Sequence, residues 1–161
     1  MLGWIIDYLK IPMSDFSSWQ GRQPDFTLAG SPVAVSICYE DAFGEELAGT
    51  VAGAAFLVNL SEDAWFGDSL ATHQRMQMAR IRAREFGRYF VRAANTGITA
   101  VINEKGEVTD SLKQFETAVL IADVLPMTGE TPFVRFGNSL FLLVMLLLLL
   151  PLVVAKVKGE R

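Results

Sequence analysis

VAVSIC (Val33–Cys38) and AAFLVNL (Ala54–Leu60) decide how this chain folds. Both runs are short and apolar, the first also β-branched, the pattern of strands buried on both faces. Between them, Glu40 to Ala52 carries helical spacing. Two apolar strands joined by a helical crossover of about a dozen residues form a βαβ unit, so the strands are expected to run parallel. Downstream, a helix is predicted over Leu70–Ala94. Its apolar stripe is Met76, Ala79, Ala83, Phe86 and Phe90, while Arg80, Arg84, Arg88 and Arg92 step along another face. Asn95-Thr96-Gly97 ends it. Ile98–Ile102 reads as a strand, Asn103–Gly106 as a hairpin turn, Glu107–Thr109 as the return, and Val119–Val124 as a further strand. Upstream, Leu2–Leu9 reads as a short amphipathic helix and Pro12 to Pro32 as a loop. No internal repeat is present. The fold class is α/β.

A length of 161 residues suits one soluble domain. The composition is 51% hydrophobic, with 14 basic and 18 acidic residues. Lys156, Lys158, Arg161 and Glu160 are the only charges beyond Arg135, so residues 1–135 hold 11 basic and 17 acidic residues, a net −6. That balance argues against nucleic acid, whose binding rests on neutralising phosphates. One cysteine cannot form a disulfide framework, and one cysteine with one histidine has no zinc-site spacing; no metal is expected. Disorder is excluded by the many apolar and few charged residues.

The tail reads differently. Phe136–Ala155 carries no charge and is nearly pure leucine at its centre. A run of about 20 apolar residues matches the hydrocarbon core of a bilayer. Lys156, Lys158 and Arg161 follow at once, which places the C-terminus in the cytoplasm and residues 1–135 on the other side. The alternative, a buried core helix, fits less well because the run offers water no polar face. Met1–Lys10 has no signal-peptide pattern: it is short and carries Asp7. An exported domain with only a C-terminal anchor is expected to be the back part of something longer.

Ser36-Ile37-Cys38-Tyr39-Glu40 is the sharpest local feature. The only cysteine sits where a buried strand gives way to a helix. Helix starts favour a thiolate, and their N–H groups can hold the oxyanion of an acyl intermediate. The alternative is a cysteine that only packs. The second cluster, Asn59-Leu60-Ser61-Glu62-Asp63-Ala64-Trp65-Phe66-Gly67, lies at the same sheet edge. Ser61, Glu62, Asp63, Trp65 and Phe66 are candidates for a substrate pocket, or else cap a helix and pack. His73 is the only histidine and reads as solvated or capping. The six arginines from Arg75 to Arg92 read as a solvated face, with a phospholipid headgroup contact as the alternative.

ICYED with FGEE (Ile37–Asp41, Phe43–Glu46), NLSEDAWFGDS (Asn59–Ser69), HQRMQMARIRA (His73–Ala83), NTGITAVINEKGEV (Asn95–Val108) and TGETPFVRFGN (Thr128–Asn138) together resemble the apolipoprotein N-acyltransferase family, the integral-membrane branch of the nitrilase superfamily. The resemblance implies a partial nitrilase-like α-β-β-α sandwich followed by one transmembrane helix. It divides the chain into 1–135, the C-terminal part of the catalytic domain; 136–157, the membrane helix; and 158–161, a cytoplasmic tail. It implies a bacterial inner-membrane enzyme with its catalytic part in the periplasm. Such an enzyme moves an acyl chain from a phospholipid donor onto a cysteine thiol. It then passes the chain to the α-amino group of a diacylated apolipoprotein acceptor. Cys38 matches the nucleophile, and Tyr39 and Glu40 match its supporting neighbours. No cofactor is implied. The family's general-base Glu and oxyanion Lys belong to segments before the matched region; Lys10 does not fit, and neither role is assigned. The expectation is therefore an enzyme fragment that is inactive alone and needs an N-terminal half. The rival readings are a C–N hydrolase of the amidase or nitrilase type and a non-enzymatic membrane-anchored domain.

Overall fold

The computed structural model describes residues 26–159, with side chains up to Pro151. The helix expected at Leu2–Leu9 and most of the Pro12–Pro32 loop lie outside the described residues. Six strands form one mixed sheet in chain order: β1 (Phe26–Leu28), β2 (Ser31–Ile37), β3 (Phe56–Ser61), β4 (Tyr89–Ala94), β5 (Ala100–Ile102) and β6 (Val108–Ser111). The central β2, β3 and β4 are parallel, as the two apolar runs predict for the first pair; the outer strands pair antiparallel. β1 falls inside the stretch read as loop. Ala29 and Gly30, at φ 50° and 80°, turn it tightly onto β2.

The crossover from β2 to β3 is a 3₁₀ turn (Cys38–Ala42) followed by α1 (Gly44–Val51). The crossover from β3 to β4 contains a short 3₁₀ turn (Ala64–Phe66) and α2 (Leu70–Phe86). Thr131 caps α3 (Pro132–Phe136), and α4 (Ser139–Gly159) follows.

The long helix expected to reach Ala94 stops eight residues early, at Phe86. Gly87 adopts φ 61° and donates back to the Ala83 and Arg84 carbonyls, a left-handed stop that a Cβ would oppose. Tyr89–Ala94 then joins the sheet, where its aromatic and β-branched residues suit a strand. The helical stripe ran on to Phe90 because Phe90 is core in either geometry: Met76, Ala79, Ala83 and Phe86 bury from α2, and Phe90 buries from β4. A second correction is Val119–Val124, which is not in a strand. Val119 and Ile121 are exposed, and only Val124 packs on the sheet.

Strand alternation sends one set of side chains to each face. Ala34, Leu57 and Phe90 lie abreast across β2, β3 and β4 and bury under α1 and α2 with Leu47, Val51 and Ala83. Val35, Val58 and Val91 lie abreast on the opposite face and are half-buried. α3 docks on α2 through Phe133 against Phe86, ring centroids 5.9 Å apart. Along α4 the apolar residues from Leu140 to Leu150 range from 38% to 65% exposed. Among the described residues, no helix is long and apolar enough to cross a membrane.

Candidate active site

On the helix-covered face, the row after Ala34–Leu57–Phe90 is Ser36–Asn59–Arg92, and every member is buried. A polar row inside an apolar core needs partners, because a buried group without one is costly. Asn59 supplies many of them. Its Nδ2 donates to Ser36 Oγ at 3.0 Å and to the Cys38 carbonyl at 3.1 Å, and its Oδ1 accepts from Arg92 at 3.2 Å. The row therefore leads from the core to the point where β2 ends.

Cys38 begins the 3₁₀ turn at φ 50°. A residue with a Cβ is disfavoured there, and such strain concentrates at functional sites. Its half-buried sulfur lies 3.9 Å from the Glu62 carbonyl, which brings the two predicted clusters together. Glu40 turns back: its carboxylate accepts the Ile37 N–H at 2.6 Å and so braces the start of the turn. Tyr39 is half-exposed and packs edge-on against Phe43, 5.8 Å between centroids. The helix expected from Glu40 thus starts as a short 3₁₀ turn, and the α-helix begins at Gly44.

α2 sends two arginines, seven residues and so about two helical turns apart, to this turn. Arg75 donates to the Cys38 carbonyl at 2.6 Å. Arg82 donates to the Asp41 carbonyl at 2.8 Å and the Ala42 carbonyl at 3.0 Å. Beneath the turn lies a buried cluster of two cations and two anions. Arg92 contacts Asp63 at 2.6 Å and Asp41 at 3.3 Å. Arg75 lies 3.0 Å from Asp41 Oδ1, an ionic contact in which no N–H points along the line to the oxygen, and 4.0 Å from Asp63. Ser61 donates to Asp63 at 2.6 Å, and Asn95 accepts the Asp63 N–H at 3.1 Å. Burial pushes the Asp41 carboxyl above the usual carboxylate range; Arg75 and Arg92 act against that, and Asp63 adds to it. Equal numbers of opposite charges offset one another within the buried cluster.

The arginine run is therefore not one solvated face. Arg75, Arg88 and Arg92 are buried. Arg88 donates to the Ala54 carbonyl at 2.7 Å and also to the Gly129 carbonyl, and burial pushes its pKa down. Of the pocket candidates, Ser61 and Asp63 point into the ion cluster, while Glu62, Trp65 and Phe66 stay at the surface, Trp65 84% exposed. Glu62 accepts from the Ala64 N–H at 2.8 Å and from Asn95. His73 is exposed. Sequence reading missed Asp41, Arg75 and Arg92 as members of a buried ion cluster, of which Arg75 alone reaches the Cys38 carbonyl. The signal was faint: Gly87 inside a supposed helix, followed by a β-like YFVRAA. Among the described residues no group of His, Cys, Asp and Glu is arranged to hold a metal ion.

A family model described as carbon-nitrogen hydrolase matches residues 10–133. The chain is 50% identical to an apolipoprotein N-acyltransferase of Nitrosomonas europaea over 161 residues, covering 100% of this chain and 32% of the relative. It is 44% identical to one of Methylococcus capsulatus over 138 residues, covering 86% of this chain and 27% of that protein. The chain thus spans about a third of the length of these curated relatives. Among solved structures, an amidase from Nesterenkonia sp. AN1 superposes with TM-score 0.52 at 20% identity, over 62% of this chain and 40% of its own. In that amidase variant an acetamide moiety is covalently attached to the active-site cysteine.

Proposed function

The chain belongs to the carbon-nitrogen hydrolase family, and from that premise we propose that it carries the nucleophile of an apolipoprotein N-acyltransferase. The observation that carries the reading is Cys38 itself. The only cysteine of the chain sits in a left-handed conformation at the C-terminal edge of a parallel strand, half-buried and braced by polar groups from three elements. Strand ends in α/β sheets are where ligands bind. Sequence similarity to the acyltransferases favours acyl transfer over hydrolysis.

In the first step the Cys38 sulfur attacks the carbonyl carbon of a phospholipid ester. The C–S bond forms, the ester C–O bond breaks, and the lysophospholipid leaves as an alcohol after taking a proton. In the second step the α-amino group of the acceptor's lipid-modified N-terminal cysteine attacks the thioester. The C–N bond forms, the C–S bond breaks, a proton leaves the nitrogen, and the thiolate is regenerated. Dividing the transfer this way replaces one difficult substitution by two easier ones. Tyr39 and Glu40 support the turn, and Glu62, Trp65 and Phe66 line the approach to it.

The sheet is one layer of an α-β-β-α sandwich, with the Val35–Val58–Val91 face turned toward the second layer. α4 spans the bacterial inner membrane, with Arg161 in the cytoplasm and Cys38 in the periplasm; uniform exposure of its leucines suits lipid surroundings. The deciding experiment is a lipopeptide mass-shift assay on full-length protein in detergent, with phospholipid as donor. Cys38→Ala should fold normally and add no acyl group, and Cys38→Ser should form no acyl-enzyme. Retained N-acylation in Cys38→Ala would reduce the residue to packing. Release of free acid from small amides without transfer to an amine would favour a hydrolase.

A further inference from the structure

We propose that Arg75 is a positioning residue for the nucleophile, holding the Cys38 turn in its reactive shape, and that Ser61 and Asp41 hold Arg75 in place for that role. The proposal rests on the reading of Cys38 as nucleophile. A left-handed cysteine persists only if its surroundings over-determine it. Here the restraint acts on the Cys38 carbonyl, which accepts from Arg75 Nη2 at 2.6 Å and from Asn59 Nδ2 at 3.1 Å. Fixing that carbonyl fixes the peptide plane leading into Tyr39, and so restrains the backbone from which the Cys38 side chain projects.

Arg75 can do this because it is itself immobilised. It is 2% exposed, its Nη2 also donates to Ser61 Oγ at 3.2 Å, and Asp41 lies 3.0 Å from its Nη1. Its guanidinium covers the Tyr39 ring at 5.1 Å from the centroid. A planar fork can serve these directions together; an ammonium is a single point and cannot. Arg92 provides the internal comparison. It neutralises the same two carboxylates, yet it meets the turn only at the Asp41 side chain and donates nothing to the Cys38 carbonyl. Charge balance and positioning are thus divided between two arginines.

The test uses full-length protein in detergent with p-nitrophenyl butyrate as acyl donor. It follows single-turnover acylation of the Cys38-containing peptide by mass, with thermal unfolding in parallel. Arg75→Lys keeps the charge and loses the fork. It should slow acylation on the order of tenfold, the effect of one charge-assisted hydrogen bond, with the donor concentration for half-maximal rate unchanged. Arg92→Lys should acylate within about twofold of the parent when both variants unfold cooperatively. Parent-like acylation in Arg75→Lys, or equal losses in the two variants, would overturn the proposal. If Arg75→Lys does not fold, the Arg75→Gln/Asp41→Asn pair removes one charge of each sign. It must then acylate on the order of tenfold more slowly than Asp41→Asn alone. Cys38→Ala separates the two levels: acylation persisting there defeats the nucleophile reading and this proposal together. An inactive Cys38→Ala beside an unimpaired Arg75→Lys defeats only the positioning role.

Discussion

Replacing Arg92 by methionine should unfold this domain more readily than any surface change, and more so at neutral than at acid pH. Arg92 is 1% exposed and contacts Asp63 at 2.6 Å, Asp41 at 3.3 Å and Asn59 Oδ1 at 3.2 Å. Methionine fills much of the space but leaves two buried carboxylates facing one cation. Breaking a buried pair by removing one partner costs about 3–5 kcal/mol, because the surviving charge stays desolvated. The pH sign follows from Asp41, whose carboxyl burial already holds above its ordinary range. Between the unfolded and the raised folded pKa, the native state binds more protons than the unfolded chain. Stability therefore falls as pH rises through that window and is regained as pH drops back through it. Losing Arg92 removes one of the charges that keep Asp41 ionised, so the folded value rises further and the window widens. Urea unfolding followed by circular dichroism should show the full loss at about pH 7.5 and a smaller one at about pH 5. Adding Asp41→Asn to Arg92→Met should recover more than about 1 kcal/mol, a coupling typical of residues in contact. A loss under about 1 kcal/mol at neutral pH, or one of equal size at both pH values, would refute the account of the cluster as a balanced buried charge set.

Gly97→Ala should damage the site from a distance in sequence, since a methyl there would run into the Asp63 carboxylate. Overpacking of this kind costs about 1–3 kcal/mol, and both the melting temperature and Cys38 acylation should fall, the latter read by the mass assay. For topology, Cys38 itself should react with a membrane-impermeant thiol reagent from outside the inner membrane, whereas a cysteine placed beside Arg161 in a Cys38→Ala background should react only after permeabilisation. Labelling of both ends from one side would remove the spanning role of α4.

Local pattern was enough to place the central strands and the cysteine. VAVSIC and AAFLVNL are short apolar runs of strand length, the first rich in β-branched residues, and a helical segment between them leaves parallel pairing as the natural outcome. That places Cys38 at a strand end, next to the loop that follows Ser61, and the contact between Cys38 and the Glu62 carbonyl has that origin. The hairpin at Asn103–Gly106 was legible for the same reason: Asn103 Oδ1 accepts the Lys105 and Glu107 N–H groups within four residues of itself. What lay beyond the sequence was the partner of each charge. Asp41, Asp63, Arg75 and Arg92 come from two loops, a helix and a strand, and no spacing rule links them; only the register Ser36–Asn59–Arg92 and the packing of α2 over it bring them within contact. The end of α2 was lost because Phe90 satisfies a helical period and a strand core equally, so hydrophobicity alone could not choose. Gly87 chose, by adopting φ 61° and turning the chain back into the sheet, and a run of arginines became a helix face at Arg80 and Arg84 but a buried counter-ion at Arg92.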